Sequence, residues 1–168
     1  MENYPNQFSE VFIEEIRRRL FTECFPRLEQ CLHTLIEKEI WYRPNANSNS
    51  VGNISLHLCG NIRQWIIAGL GGHPDVRERQ KEFDEQGPIP LDKLLNLLAV
   101  LKHDVEVVLN NIAPKDLIEK RDVQIYKESG LSILVHVVEH FSYHVGQVTY
   151  IVKMLKDVDT GYYAGQEL

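Results

Sequence analysis

The chain has 168 residues, 24 of them acidic and 18 basic, for a formal net charge of −6 with histidine neutral. That length fits a single domain with a sizeable core, and the acidic balance argues against nucleic acid and anionic membranes as partners, because both are gripped by clustered Lys and Arg. Three cysteines, Cys24, Cys31 and Cys59, form no CxxC pair and are odd in number, which argues against a disulfide framework or a zinc ribbon.

Along the chain, Phe8, Phe12, Ile16 and Leu20, then Leu28, Cys31, Leu32, Leu35 and Ile36, recur with helical spacing. They predict one long helix or two collinear ones from Phe8 to about Trp41. Pro26 lacks a backbone donor, so a kink is expected near Thr22 to Phe25. A polar loop from Arg43 to Ser50 follows, with Ser48 or Ser50 placed to cap a second helix over Val51 to Leu70. Gly69, Gly71, Gly72 and Pro74 end that helix, and a charged connection runs from Asp75 to Pro90.

A third helix is predicted over Leu91 to Ile112, buried through Leu94, Leu95, Leu98, Leu101, Val105, Val108 and Leu109, and stopped by Pro114. Residues 117–126 alternate at Val123 and Ile125, consistent with a short extended segment. Ser129 caps a fourth helix over Gly130 to Lys156, and the final dozen residues read as a loose tail. The expectation is therefore an all-α protein: one four-helix bundle over residues 1–168, with a long connection between helices two and three and a short extended segment before helix four. The N-terminal residues lack the charged and apolar pattern of a signal peptide, and no apolar run approaches the roughly 18 residues of a membrane span. A cytoplasmic setting is the expectation.

Seven histidines are an unusual number for this composition, and three of them, His136, His140 and His144, fall at successive i, i+4 positions on helix four. At roughly 100° per residue they share one face bordering the apolar seam, and Gln147 lies beside them. Two imidazoles one turn apart can both reach one metal ion. Helix two offers a third ligand, His57, within a polar stripe of Asn53, Asn61 and Gln64 whose amides can orient the imidazole or contact a ligand. His57, His140 and His144 together would supply three neutral nitrogens and leave coordination positions open, as catalytic sites do. Taken singly, His57 reads first as a satisfied core histidine, and the HxxxH pair has a surface or capping role as its competing reading. His33, His73 and His103 read as solvated. No histidine has Glu three residues before it and no His-Glu-x-x-His occurs, which excludes a ferritin-like di-iron centre and zincin chemistry.

The helix-two segment Asn49-Ser-Val-Gly-Asn-Ile-Ser-Leu-His57-Leu-Cys-Gly-Asn-Ile-Arg-Gln-Trp65 and the helix-four segment His140-Phe-Ser-Tyr-His144-Val-Gly-Gln147 resemble blocks of the DinB/YfiT-like superfamily of bacterial metal-dependent proteins. Arg77-Glu-Arg79-Gln-Lys-Glu82-Phe83 is similar to a subgroup signature, and nearly the whole chain participates in the resemblance. The resemblance implies a four-helix bundle, a homodimer, and a divalent metal, nickel or zinc, on His57, His140 and His144. It also implies a small-molecule substrate and either transfer of a low-molecular-weight thiol such as bacillithiol or hydrolysis. The alternative is a non-enzymatic metal-binding or stress-response bundle. Within an enzyme, Arg77 and Arg79 are candidates for gripping an anionic group, whereas Asn61 and Gln147 are candidates to support the ligands, with His136 extending their stripe. The competing reading of the Arg77–Phe83 stretch is a solvated charge run or a dimer contact.

Overall fold

The structure is a computed structural model that describes residues 4–165. Four long helical stretches surround one hydrophobic core, so the all-α expectation holds. The first stretch comprises α1 (Tyr4–Arg17), a wide-turn segment (Arg18–Cys24) and α2 (Phe25–Thr34). The expected disturbance at Pro26 takes the form of that widened helix, closed by the Phe25 amide donating to the Leu20 carbonyl five residues back. The predicted continuation to Trp41 is interrupted. Leu35 and Ile36 are extended before a short α3 (Glu37–Ile40), and Ile36, expected in the core stripe, is largely exposed, as is Phe8.

The second stretch begins where expected. Ser50 caps α4 (Val51–Ile62), its hydroxyl accepting from the Asn53 amide at 3.1 Å, and a wide-turn segment (Arg63–Leu70) continues it to the glycines. The charged connection is more ordered than a linker, carrying α5 (Arg79–Asp84) packed on α4. Gly87, at φ +65, lies against the Trp41 indole where a side chain would collide, and Trp41 Nε1 donates to the Ile89 carbonyl at 3.3 Å. Glycine meets both demands at once.

The third stretch, α6 (Leu91–Asn110), buries Leu94, Leu98, Leu101, Val105, Val108 and Leu109 as its periodicity predicts, whereas Leu95 is only half-buried against the same core. After α7 (Pro114–Ile118), the expected single extended segment is in fact a two-stranded antiparallel hairpin, β1 (Lys120–Val123) and β2 (Tyr126–Ser129). Gln124 at φ +54 makes its turn. Val123, the last residue of β1, is buried against the wide-turn end of the second helix, whereas Ile125 lies in the turn itself and is exposed. Ser129 then caps the fourth stretch, α8 (Gly130–Lys156).

Phe25 of α2 meets Phe141 of α8 edge-on at 4.9 Å, and both are fully buried at the centre of the bundle. The tail after α8 is not loose up to residue 165. Tyr162 shares hydrogen bonds with Thr149 (2.8 Å) and Cys31 (3.2 Å), Gln30 donates to the Thr160 carbonyl at 2.7 Å, and the Arg27 guanidinium lies 5.0 Å over the Tyr162 ring. The last three residues of the expected tail lie outside the described residues. No helix among the described residues is long and apolar enough to cross a membrane.

Candidate metal centre

The second helix and α8 pack together, and their polar stripes meet. One ring nitrogen from each of His57, His140 and His144 lies within 4.8 Å of the others. His57 Nε2 and His140 Nε2 are 3.2 Å apart, close to the separation of about 3.3 Å expected of two nitrogens bound tetrahedrally to one ion. The i, i+4 spacing brings the His140 and His144 rings to 4.6 Å between centroids, and the phase of α4 brings His57 to meet them.

The far nitrogens show how the set is oriented. His57 Nδ1 lies 3.0 Å from Glu82 Oε2 and 3.1 Å from Arg77 Nη2. A carboxylate only accepts, so Nδ1–H donates to Glu82 and leaves the Nε2 lone pair facing the other histidines. The Arg77 contact reflects the carboxylate they share, because Arg77 also donates to Glu82 through Nε (2.7 Å) and Nη2 (2.8 Å). His144 Nδ1–H donates to Gln147 Oε1 at 2.7 Å, which likewise frees Nε2. Such partners fix the tautomer and ring plane of a metal ligand.

Protonation favours the same role. Burial, aided by His144, His57, His136 and Arg77, pushes the His140 pKa down to about 3. Burial also lowers that of His144, with His57 adding to the effect against the opposing pull of Gln147. Both rings are neutral at pH 7, the form that offers a lone pair to a cation. Burial works to raise the Glu82 pKa, but hydrogen bonds from Arg77 and His57 outweigh it and hold the carboxyl below its ordinary range. The donor set therefore fits a divalent ion: three neutral, converging imidazoles with a carboxylate behind one of them.

The other predicted residues divide. Gln147 supports His144 as described. Asn61 is buried beside the histidines with its Oδ1 unpaired. His136 stands apart from the three-nitrogen group, stacked on Trp65 at 3.8 Å. Gln64 does not reach the histidines, but accepts from Arg77 at 2.9 Å and from Gln124, and donates to Asp75. Arg77 is turned inward with its side chain only 3% exposed, whereas Arg79 is exposed over the Phe83 ring.

Asn53 does something the helical stripe did not suggest. Its Nδ2 donates to the carbonyls of Glu82 and Glu85 at 2.9 Å each, and its Oδ1 accepts from Arg43 and Ser50. It pins the connection to α4, and Arg43 reinforces this by donating to the Phe83 carbonyl at 2.7 Å. His33, His73 and His103 are exposed, as expected of solvated residues.

Glu82 is the residue whose role sequence reasoning missed. It lies 25 positions from His57 with no periodic relation to it, so only its place in the Arg77–Phe83 segment marked it. Gly60 makes the approach feasible, since a Cβ there would overlap the Glu82 carboxylate. His136-Val-Val-Glu-His140 also spells the order of one class of zinc hydrolase. Glu139, however, is exposed and lines a separate groove with Phe12 and Ile16, so the structure does not assemble that site.

Two solved structures share this architecture. A DinB-like protein from Bacillus subtilis, YjoA, superposes with a TM-score of 0.65 at 14% identity, covering 88% of this chain and 94% of its own. A DinB-like protein from Bacillus cereus gives 0.65 at 16% identity, covering 87% of this chain and 91% of its own. No curated protein matches the chain significantly. The expected DinB-like architecture is thus present at the level of the fold. A family model described as a protein of unknown function, DUF1572, matches residues 7–162, and the chain belongs to that family.

Proposed function

We propose that this protein is a metal-dependent enzyme that holds one divalent ion, nickel or zinc, through His57, His140 and His144, and that it acts on a small molecule by transferring a low-molecular-weight thiol or by hydrolysis. The observation that carries the reading is the convergence of three imidazole nitrogens within 4.8 Å, two of them oriented from behind by Glu82 and Gln147. A bound ion supplies a Lewis acid able to lower the pKa of a thiol or of water toward neutrality.

The chain's own residues do the rest. Glu82 and Gln147 hold two imidazoles in the ligating tautomer, so little reorganisation accompanies binding. Arg77 keeps Glu82 ionised and is itself neutralised by it, which leaves Arg79 as the cation open to an anionic substrate. A cavity adjoining His57 and His140 supplies the access that a closed structural site lacks. The buried thiol of Cys59, pushed up to about 12 by burial, is kept protonated and takes no part. We place the enzyme in the cytoplasm as a homodimer; the dimer is supported by a groove in which Phe12, Ile16, Val135, Val138 and Tyr143 are rimmed by Glu15, Arg19, Glu23 and Glu139.

The test is turnover. Nickel- and zinc-loaded protein is assayed with low-molecular-weight thiols against a panel of alkyl halides and epoxides, and with ester and amide substrates. Metal-dependent conjugation or hydrolysis that disappears in His144→Ala supports the enzyme. A filled site with no turnover on either panel favours a non-enzymatic metal-binding or stress-response bundle.

A further inference from the structure

Beside the three histidines lies a cavity of about 340 Å³ between the second helix, the hairpin and α8, a size in the range of small-molecule sites. Among the described residues five buried side-chain polar atoms have no hydrogen-bond partner. Four of them, Asn61 Oδ1, Trp65 Nε1, His136 Nε2 and His140 Nδ1, belong to residues that line this one cavity. Buried polar atoms are nearly always paired, so their concentration around one space is the mark of a surface built to be satisfied by a polar ligand. Asn61 and Trp65 are each only 4% exposed. Trp65 is also fixed in orientation, stacked against His136 at 3.8 Å and flanked by Tyr126 at 6.2 Å.

Two charges on the same walls have no ion-pair partner among the described residues. Arg79 lies over Phe83 at 4.8 Å, and neither it nor Glu128 makes an ion pair or a side-chain hydrogen bond among the described residues. Arg77 also lines the cavity, but Glu82 neutralises it. The lining thus offers acceptors in Asn61 Oδ1 and Glu128, a donor in the Trp65 N–H, and one free cation. A hydroxyl both donates and accepts, so a ligand carrying several hydroxyls can satisfy this mixed set, whereas an apolar ligand would leave it unpaired.

We propose that the cavity binds a small hydroxylated anion of the polyhydroxy-acid class, its carboxylate drawn to Arg79 and its hydroxyls bonded to Asn61, Trp65, His136 and Glu128. His136 is then a ligand-contacting residue and not a fourth metal ligand. The inference deepens the three-histidine reading and rests on it for the neighbouring ion.

Gluconate, sorbitol and hexanoate separate the contributions, being a polyhydroxy acid, its neutral polyol counterpart and a carboxylate without hydroxyls. Each is titrated calorimetrically into zinc-loaded full-length protein, with metal content measured on the same samples. Gluconate should bind tighter than both others. Arg79→Gln should weaken gluconate about tenfold, the loss of one charge-assisted contact, and leave sorbitol unchanged. His136→Phe keeps a ring stacked on Trp65 and should weaken gluconate and sorbitol alike while retaining the metal. Hexanoate binding as tightly as gluconate, no gluconate binding to fully loaded protein, or insensitivity to both substitutions would overturn the inference. Loss of metal in His136→Phe would overturn the role given to that residue. A wild-type protein that takes up no metal contradicts the three-histidine site instead.

Discussion

Glu82 Oε2 stands 3.0 Å from His57 Nδ1 while its carboxylate accepts two hydrogen bonds from Arg77, so a residue of the connection between the second and third helical stretches sets the tautomer of a candidate metal ligand. The connection is therefore part of the site. Replacing Glu82 by Gln removes the charge and keeps an acceptor, and by the usual effect of such partners metal affinity should fall about 10–100-fold with the fold intact. Competition against a chromophoric chelator measures this. Unchanged affinity would show that Glu82 does not support the ligand.

Two glycines give an internally controlled comparison. Gly60 faces Glu82, where a Cβ would overlap the carboxylate, whereas Gly146, exposed on α8, has open space around its Cβ position. Gly60→Ala should displace Glu82, lowering both thermal stability and metal affinity. Gly146→Ala should raise stability by about 0.5–1 kcal/mol through helix propensity alone. Urea denaturation of the two variants checks the contrast, and a neutral Gly60→Ala would mean that the Glu82 contact is readily rearranged.

Asn53→Ala keeps the backbone N–H that donates to the Ser50 hydroxyl, but removes the side-chain acceptor for Ser50 and the two carbonyl contacts that hold residues 82–85. The loss should be about 2–3 kcal/mol, because several buried hydrogen-bonding groups lose their partner at once while the Ser50 cap remains. Limited proteolysis should then cut sooner within the connection. A variant as stable as the wild type would mean that Arg43 alone suffices to fasten it.

Much of this was legible in the sequence where the signal is local. The caps Ser50 and Ser129 and the glycines after Leu70 fixed the limits of the second and fourth stretches, because capping is decided within four residues. The i, i+4 spacing marked His136, His140 and His144 alike and the polar stripe marked His57, and it was the family resemblance that set His136 apart from the three candidate ligands. What escaped depends on contacts between distant segments. The Glu82 carboxylate, the Trp65–His136 stack and the docking of Tyr162 on Cys31 have no periodic signature. Nor did helical spacing show that Asn53 turns to the connection and away from the histidines, since a shared stripe does not say which neighbour each side chain will meet. Pro26 announced a disturbance beside residues 18–24, whereas the widened turn at residues 63–70 carries no residue that separates it from ordinary helix.

Acid should destabilise the metal-free protein over a defined window. His140 is held near a pKa of about 3, against an ordinary value of 6.5, and His144 is also lowered, both chiefly by burial. Between those values the unfolded chain binds more protons than the folded one, so stability is full above about pH 6.5 and is lost progressively as pH falls toward 3. Thermal melts of chelator-treated protein from pH 7.5 to 4.5 should show a falling midpoint, and His140→Gln should flatten that dependence. A midpoint that rises on acidification would contradict neutral, buried imidazoles.

A metal-dependent activity requires that His57, His140 and His144 hold one divalent ion together. Metal analysis of untagged, nickel- or zinc-reconstituted protein after exhaustive buffer exchange tests it most directly, with His57→Ala and His144→Ala alongside. About one ion per chain is expected in the wild type, with a large loss in each variant. A wild-type protein that retains no ion, or variants that retain it fully, would rule out a metal centre on these three histidines.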